Sequence, residues 1–418
     1  VLLADCSYRG HRLHHIRILA NAIVESGGHA SCVLPAEAEQ SEEWSVLGGG
    51  FDRRVEMMFC LSDRASSFAD HATYVLHLAR IFRTRFDRMF LPTADPAVYG
   101  LLRSPSAARL FRRSAPIDGL AMRGGFAYPS ARRGLQRWIR RLPQLAYELA
   151  PFARLLHIDP IIAAWLNRFP LVRRRSVIVA PDPVMPPQPV TRGEARARLA
   201  LPADRPLVVC VGDLDPRKAV DRLAAAFSMG HVRTSDATLV LAGRVKPTIR
   251  AAVAKLHDAR PGRLILIDRF LTDADFTLYL QAADVVAATY LDHVGSSSLL
   301  LRAVACDRQV LASDAGWVGW VTRTFGLGTT CDPSDPAALG RAIDSALQRA
   351  PRSAGSAPNR RAGELLAFHT ECNYARHWLF PLGLAPAAFS FSELLDRTEV
   401  QPLSGLEAIQ RGGGDCAA

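Results

Sequence analysis

Five short apolar runs recur at helix-length intervals through the second half of the chain: "PLVVCVGDL", "ATLVLAGRV", "RLILIDRF", "ADVVAATY" and "RQVLASDAG". Each is apolar at consecutive positions, which is the pattern of a strand covered on both faces. Strands of that kind, separated by helical segments, call for parallel pairing with helices as crossovers. The first half repeats the scheme less regularly. "VLLAD" reads as a first strand; residues 11–26 follow with Leu13, Ile16, Leu19 and Ile23 on one helical stripe; "SGGH" stops that helix; and "ASCVLP" and "RMFLPT" give further strands.

At 418 residues the chain exceeds one ordinary core. The five prolines of "APDPVMPPQPV" favour an extended connector between two such units. The expected division is an N-terminal domain over 1–180, a linker over 181–190, a C-terminal domain over 191–380 and a loosely ordered tail over 381–418. The fold class is therefore α/β, two doubly wound Rossmann-like domains facing across a cleft. Ligands in such sheets bind beyond the carboxyl ends of the strands, so the turns there are where chemistry is sought.

Charge narrows the partners. The net charge is +11, yet only three of 51 basic residues are lysines, Lys218, Lys246 and Lys255. A positive balance suits phosphates, nucleic acid or an anionic membrane. The arginines are dispersed and not interleaved with aromatics, so no nucleic-acid partner is expected. Eight cysteines without a CxxC pair read as reduced thiols, and the expected location is cytoplasmic. No apolar run reaches the roughly 18 residues of a membrane span, and "VLLADCSYRG" is broken too early by Asp5 to be a signal peptide.

Three turns carry candidate chemistry. In "VGDLDPRK" a strand runs into Gly212, where the backbone can approach a ligand closely. Lys218, six residues on at a helix start, would put a point charge on a phosphate. Arg217 beside it reads equally as a second clamp or as surface. In "HVGSSSLLLRAVACD", Gly295, Ser296, Ser297 and Ser298 precede an apolar helix, an arrangement that caps the helix or holds an anion on its free N–H groups. Asp292 and His293 lie just upstream. In "YRGHRLHHIR", Gly10, His11 and Arg12 occupy the turn after the first strand, with His11 a candidate base or substrate ligand. Asp95 in "PTADP" is a candidate of the same kind, or a turn former. No HxH, HExxH or clustered Cys/His spacing marks a metal site. Between the turns, "ARRGLQRWIRRL" puts Leu135, Trp138, Ile139 and Leu142 on one helical face ringed by arginines. That is the pattern of an interfacial membrane helix or of a basic helix lying on a domain.

The order "VVCVGDLDPRK", "LVLAGR", "LILIDRFLTDADFTLYLQAADVVAATY" and "LLLRAVACDRQVLASDAGW" resembles the GT-B glycosyltransferases of family 4, the glycosyl transferases group 1. The resemblance covers about residues 175–350 well and the first half loosely, through the turn at Gly10 and the helix ending in "SGGH". It implies a metal-independent transferase without a cofactor, moving sugar from a nucleotide-diphosphate donor with retention of configuration, or with inversion if His11 acts as a base. The acceptor would be a glycan, a lipid-linked molecule or a small molecule, with peripheral contact to the inner membrane face through 132–142. Gly212, Asp213, Lys218 and Arg244 fall on the diphosphate side of that site, Arg269 and Phe270 beside the base, and Asp292, His293, the 295–298 turn and Arg302 along the sugar and ribose. His11, Asp95 and Lys218 are the catalytic candidates, and Gly10, His11 and Arg12 the acceptor-side ones. The sequence departs from the family where an Arg gives way to Asp213 and where the two glutamates of a Glu-x7-Glu motif give way to Val294 and Arg302. A non-catalytic nucleotide-binding or scaffold protein of the same fold, or a nucleotide-sugar epimerase, is the alternative.

Overall fold

The computed structural model describes residues 1–9, 12–61, 74, 78, 86–103, 105–112, 115–127, 142–172, 176–228, 232, 236–259, 262–293, 295–350 and 359–401. They fall into two compact units, the first Val1–Pro183 with Phe368–Glu393, the second Val184–Ala367 with the chain from Leu394 on.

The first unit is built on a parallel sheet in the order β3-β2-β1-β4-β5-β6-β7. Its strands are β1 (Leu2–Ala4), β2 (Ser31–Pro35), β3 (Glu56–Leu61), β4 (Met89–Leu91), β5 (Ile117–Ala121), β6 (Arg154–His157) and β7 (Ile178–Val179). The helix Arg12–Glu25 returns the chain from β1 to β2 and buries Leu13, Ile16, Leu19 and Ile23. The stripe read from the sequence is thus the face laid on the sheet.

The second unit carries a parallel sheet in the order β10-β9-β8-β11-β12-β13. Its strands are β8 (Leu207–Val211), β9 (Thr238–Ala242), β10 (Leu264–Ile267), β11 (Val285–Ala288), β12 (Gln309–Ser313) and β13 (Gly328–Cys331). All of β8 is fully buried, as its unbroken apolar run requires. Val208, Cys210, Leu239 and Leu241 pack with Leu223, Phe227 and Ile343 in one core. Each such aliphatic or aromatic side chain contributes about 1.5–3 kcal/mol of burial free energy. Strand order reverses between β8 and β11, so the crevice beyond their carboxyl ends is the topological switch point of this unit. The turns after these two strands are "GDLDPRK" and "YLDHVGSSS".

The domain boundaries differ from the sequence expectation at the C-terminal end. The first crossing between units, after Pro183, falls inside the proline-rich stretch. A second follows Ala367, and the helix Glu371–Leu379 belongs to the first unit. There Tyr374 and Trp378 are fully buried with Leu3, Phe90 and Leu156. The segment read as a loose tail contains a further helix, Phe391–Thr398, which buries Leu394 and Leu395. Among the described residues no helix is long and apolar enough to cross a membrane.

Candidate functional site

At the carboxyl end of β8 the backbone turns through Gly212 at φ +94°. Gly243, at the matching end of β9, has φ +139°, and a Cβ there would lie 1.9 Å from the Gly212 carbonyl oxygen. Two adjacent strands therefore end in backbone with no room for side chains, so a ligand can come close there. Their amides stay in the sheet, Gly212 donating to the Ala242 carbonyl at 3.0 Å and Gly243 to the Ile267 carbonyl at 2.9 Å. Under Gly212 runs the side chain of Lys218. It is 7% exposed, and its ammonium donates to the Val211 carbonyl at 2.5 Å. A Cβ on Gly212 would meet the Lys218 Nζ at 2.9 Å and Phe276 at 3.3 Å. The lysine is aimed at the glycine turn by the short helical turn Pro216–Lys218, which Asp215 caps by accepting from the Lys218 amide. An ammonium has three N–H donors; the two not given to Val211 suit an anion. Burial pushes its pKa below the ordinary lysine value, and Arg217 pushes the same way.

The turn after β11 is bonded to the lysine turn. The Leu291 amide donates to the Arg217 carbonyl at 2.7 Å, and the Thr289 hydroxyl to the Lys218 carbonyl at 3.2 Å. The Arg217 guanidinium lies 5.5 Å from the Tyr290 ring centroid and 3.2 Å from His293 Nδ1. His293 stacks on Tyr290 at 4.3 Å, and its Nε2 sits 3.0 Å from the Ser296 carbonyl. A guanidinium only donates and a carbonyl only accepts. His293 therefore holds its proton on Nε2 and accepts at Nδ1. Burial lowers its pKa to about 4, so the ring is neutral at neutral pH. Both of its nitrogens are occupied, which makes it a brace for the turn.

The turn delivers the chain to the helix Ser298–Ala305. Ser297 is the cap: its hydroxyl accepts from the Leu300 amide, lies 2.8 Å from the Tyr290 hydroxyl, and is 4% exposed. Gly295 is buried, Ser296 and Ser298 are half-buried, and Asp292 is exposed at the lip with φ +50°.

Around the rim, Asp213 is 3.4 Å from Arg244 and 3.9 Å from Lys246. The Arg244 guanidinium covers the Phe270 ring at 5.1 Å, and Phe270 is 39% exposed. Arg269 is held by the Asp275 carboxylate at 2.7 Å. Arg302 points away from a free role. It reaches Asp273 Oδ1 at 2.7 Å and Thr277 Oγ1 at 2.6 Å, and stacks on Phe276 at 4.2 Å, tying its helix to the helix Asp273–Ala282.

Gly10 and His11 of the first unit, Val294 of the second, and 128–141, most of the basic helical segment, lie outside the described residues. Arg12 reaches Asp5 Oδ1 at 2.8 Å, and Asp5 is fully buried. Asp95 is 5% exposed. Its carboxylate accepts from the amides of Met122 and Arg123 and from the Tyr147 hydroxyl at 2.5 Å, all inside the same unit. Those bonds give it the work of pinning the turn after β5. The residues that sequence reasoning left out of the site are Gly243, Tyr290 and Phe276, with Arg217 left undecided. Gly243 stood after an apolar run as Gly212 does, a signal within reach; the rings of Tyr290 and Phe276 carried none.

Residues 205–349 match the family model for glycosyl transferases group 1. The chain is 28% identical over 174 residues to a GDP-mannose-dependent alpha-(1-6)-phosphatidylinositol monomannoside mannosyltransferase of Mycolicibacterium smegmatis; the match takes in 40% of this chain and 45% of that protein. The chain thus spans less than half the length of this curated relative. Among solved structures it is similar to sucrose-phosphate synthase from Thermosynechococcus elongatus, with TM-score 0.66 at 19% identity over 91% of this chain and 97% of that one. It is also similar to the HepE protein of Anabaena in complex with UDP and glucose, with TM-score 0.62 at 15% identity over 92% and 99%. The two doubly wound sheets are the GT-B fold of glycosyltransferases. The second unit, over 205–349, carries a glycosyl transferases group 1 domain.

Proposed function

We propose that the chain is a glycosyltransferase that takes a sugar from a nucleoside diphosphate and passes it to a glycan, lipid-linked or small-molecule acceptor, without a metal and with retention of configuration. The observation that carries this reading is the buried ammonium of Lys218 beneath the paired turns at Gly212 and Gly243. A cation held dry beneath backbone that carries no side chain gives a diphosphate more stabilisation than the same charge in water. Arg217, braced by His293, adds a second cation on the same turn. The start of the helix Ser298–Ala305 adds N–H groups whose dipole favours negative charge.

The chemistry follows from where charge develops. As the bond between the anomeric carbon and the diphosphate oxygen breaks, negative charge grows on the diphosphate, and these three groups stabilise it as it leaves. The acceptor hydroxyl attacks the same sugar face and loses its proton toward the departing oxygen. The Phe270 ring beneath Arg244 offers a surface for the nucleobase. Arg302 and His293 hold the walls, and Asp292, exposed at the lip, is the carboxylate left to meet a sugar hydroxyl.

The test is turnover. The protein is incubated with UDP-glucose or GDP-mannose and a mixed acceptor pool, and nucleoside diphosphate release and sugar-bearing products are followed by mass spectrometry. One donor is expected to be consumed, and Lys218→Ala to abolish its consumption. Binding of a nucleoside diphosphate with no product from either donor would favour a non-catalytic nucleotide-binding protein.

A further inference from the structure

The loop that follows the helix Pro160–Arg168 is apolar on both of its sides. Pro170 and Val172 turn inward and line a small cavity with Phe152, Leu155 and Leu166. The alternate residues, Phe169 and Leu171, face solvent at 40% and 42% exposure. The loop lies along the helix Leu142–Leu149. The Gln144 side chain donates to the Phe169 carbonyl at 2.8 Å, and the Glu148 carboxylate accepts from the Leu171 and Val172 amides. At the start of that helix Leu142 is 61% exposed. Single exposed apolar residues are ordinary on protein surfaces. Two large ones in one loop, backed by an apolar underside, offer an interaction surface.

Charge says what kind of partner fits. The Arg168 guanidinium lies 5.4 Å from the Phe169 ring centroid. In sequence, Leu142 is directly preceded by "ARRGLQRWIRR" and Val172 directly followed by "RRR", and neither 128–147 nor 160–181 contains an acidic residue. Apolar side chains beside an arginine, in a loop flanked by arginine-rich sequence and with Glu148 taken up by the loop's own amides, match the boundary between acyl chains and anionic headgroups. We propose that Phe169 and Leu171, with Arg168, form a docking surface for an anionic lipid membrane. The two apolar side chains enter the headgroup region and arginine meets the lipid phosphates. This surface lies wholly in the first unit and does not depend on the donor reading.

The test is co-sedimentation of the full chain with phosphatidylcholine vesicles with and without phosphatidylglycerol, no nucleotide sugar being added. Binding is expected only to the anionic vesicles, falling at least about tenfold in about 0.5 M salt, where the Debye length shrinks to a few ångströms. The double variant Phe169→Asp with Leu171→Asp is expected to lose binding by at least about tenfold, because charge replaces the inserted surface. Arg168→Gln is expected to weaken it less. Phe380→Asp, at another exposed aromatic of the same unit, should bind as the parent does. Far-ultraviolet circular dichroism confirms that each variant is folded; an unfolded double variant is replaced by Phe169→Ser with Leu171→Ser. Equal binding to neutral vesicles, no vesicle binding, retention of duplex DNA in place of vesicles, or a folded double variant that binds as the parent does would each overturn the proposal.

Discussion

Lys218 is the residue on which the donor site turns, and its burial makes a pH signature. Its pKa in the folded chain lies below the ordinary value of 10.5, chiefly through burial. Between the folded value and 10.5 the unfolded chain keeps a proton that the folded chain has released, so stability rises with pH across that window. A bound diphosphate draws the proton back. Binding in that window is therefore expected to take up a proton and to weaken as pH rises. Calorimetry in two buffers of different ionisation enthalpy measures the uptake, and Lys218→Met should remove it; uptake unchanged in that variant would assign the proton elsewhere. Acid acts through other residues. Burial holds His293 and His369 at about 4 against an ordinary 6.5. As pH falls from 6.5 toward 4 the unfolded chain gains protons first, so stability is lost over that range. Thermal melts of the parent should show the drop, and His293→Gln a shallower one. A melt profile flat between those values would contradict neutral, buried histidines.

At the scale of elements, the ends of β8 and β9 are tightly constrained backbone. Gly243→Ala combines a φ of +139° with a Cβ 1.9 Å from the Gly212 carbonyl, so one strand end must move. A cost of about 1–3 kcal/mol is expected, the range for backbone strain of this kind, and a urea titration measures it; a stability equal to the parent's would show that the two turns are not packed as described. Arg302→Glu sets a carboxylate beside the Asp273 carboxylate and removes the stacking on Phe276. It is expected to cost about 1–3 kcal/mol and not to raise sugar transfer above the parent's. What the sequence made legible follows from the same geometry. The strands of the second sheet could be read because they are apolar at consecutive positions. β13, "GTTC", is half-buried and gave no such run, and β7 has two residues. The glycine–lysine turn was legible because its chemistry is local. The pairing of Arg302 with Asp273 was not, since 29 residues separate the partners. Nor was the occupation of both His293 nitrogens, which depends on Arg217 from a different strand's turn.

Over the whole molecule, the chain crosses between the units three times, after Pro183, Ala367 and Glu393, and the return segment Phe368–Glu393 completes the first core. Trp378 is fully buried there, 4.8 Å from Phe90 between ring centroids. Trp378→Ala is expected to destabilise the first unit by about 3–5 kcal/mol, the usual cost of emptying a large aromatic site. Its urea midpoint should fall accordingly, and a midpoint within error of the parent's would mean the return segment is not part of that core. The second unit, which carries the family domain and the switch-point turns, is where the central claim is decided. The most direct measurement is calorimetric titration of UDP and GDP into the parent, Lys218→Ala and Lys255→Ala. Lys255 is an exposed residue of the helix Pro247–Ala259 and a cleaner reference than Lys246, which shares the rim with Asp213. One nucleotide is expected to bind the parent, to lose about 1.5–3 kcal/mol with Lys218→Ala, the range for a hydrogen bond to a charged group, and to bind Lys255→Ala unchanged. Binding that is absent from the parent, or equal in all three proteins, would contradict a diphosphate site at Lys218.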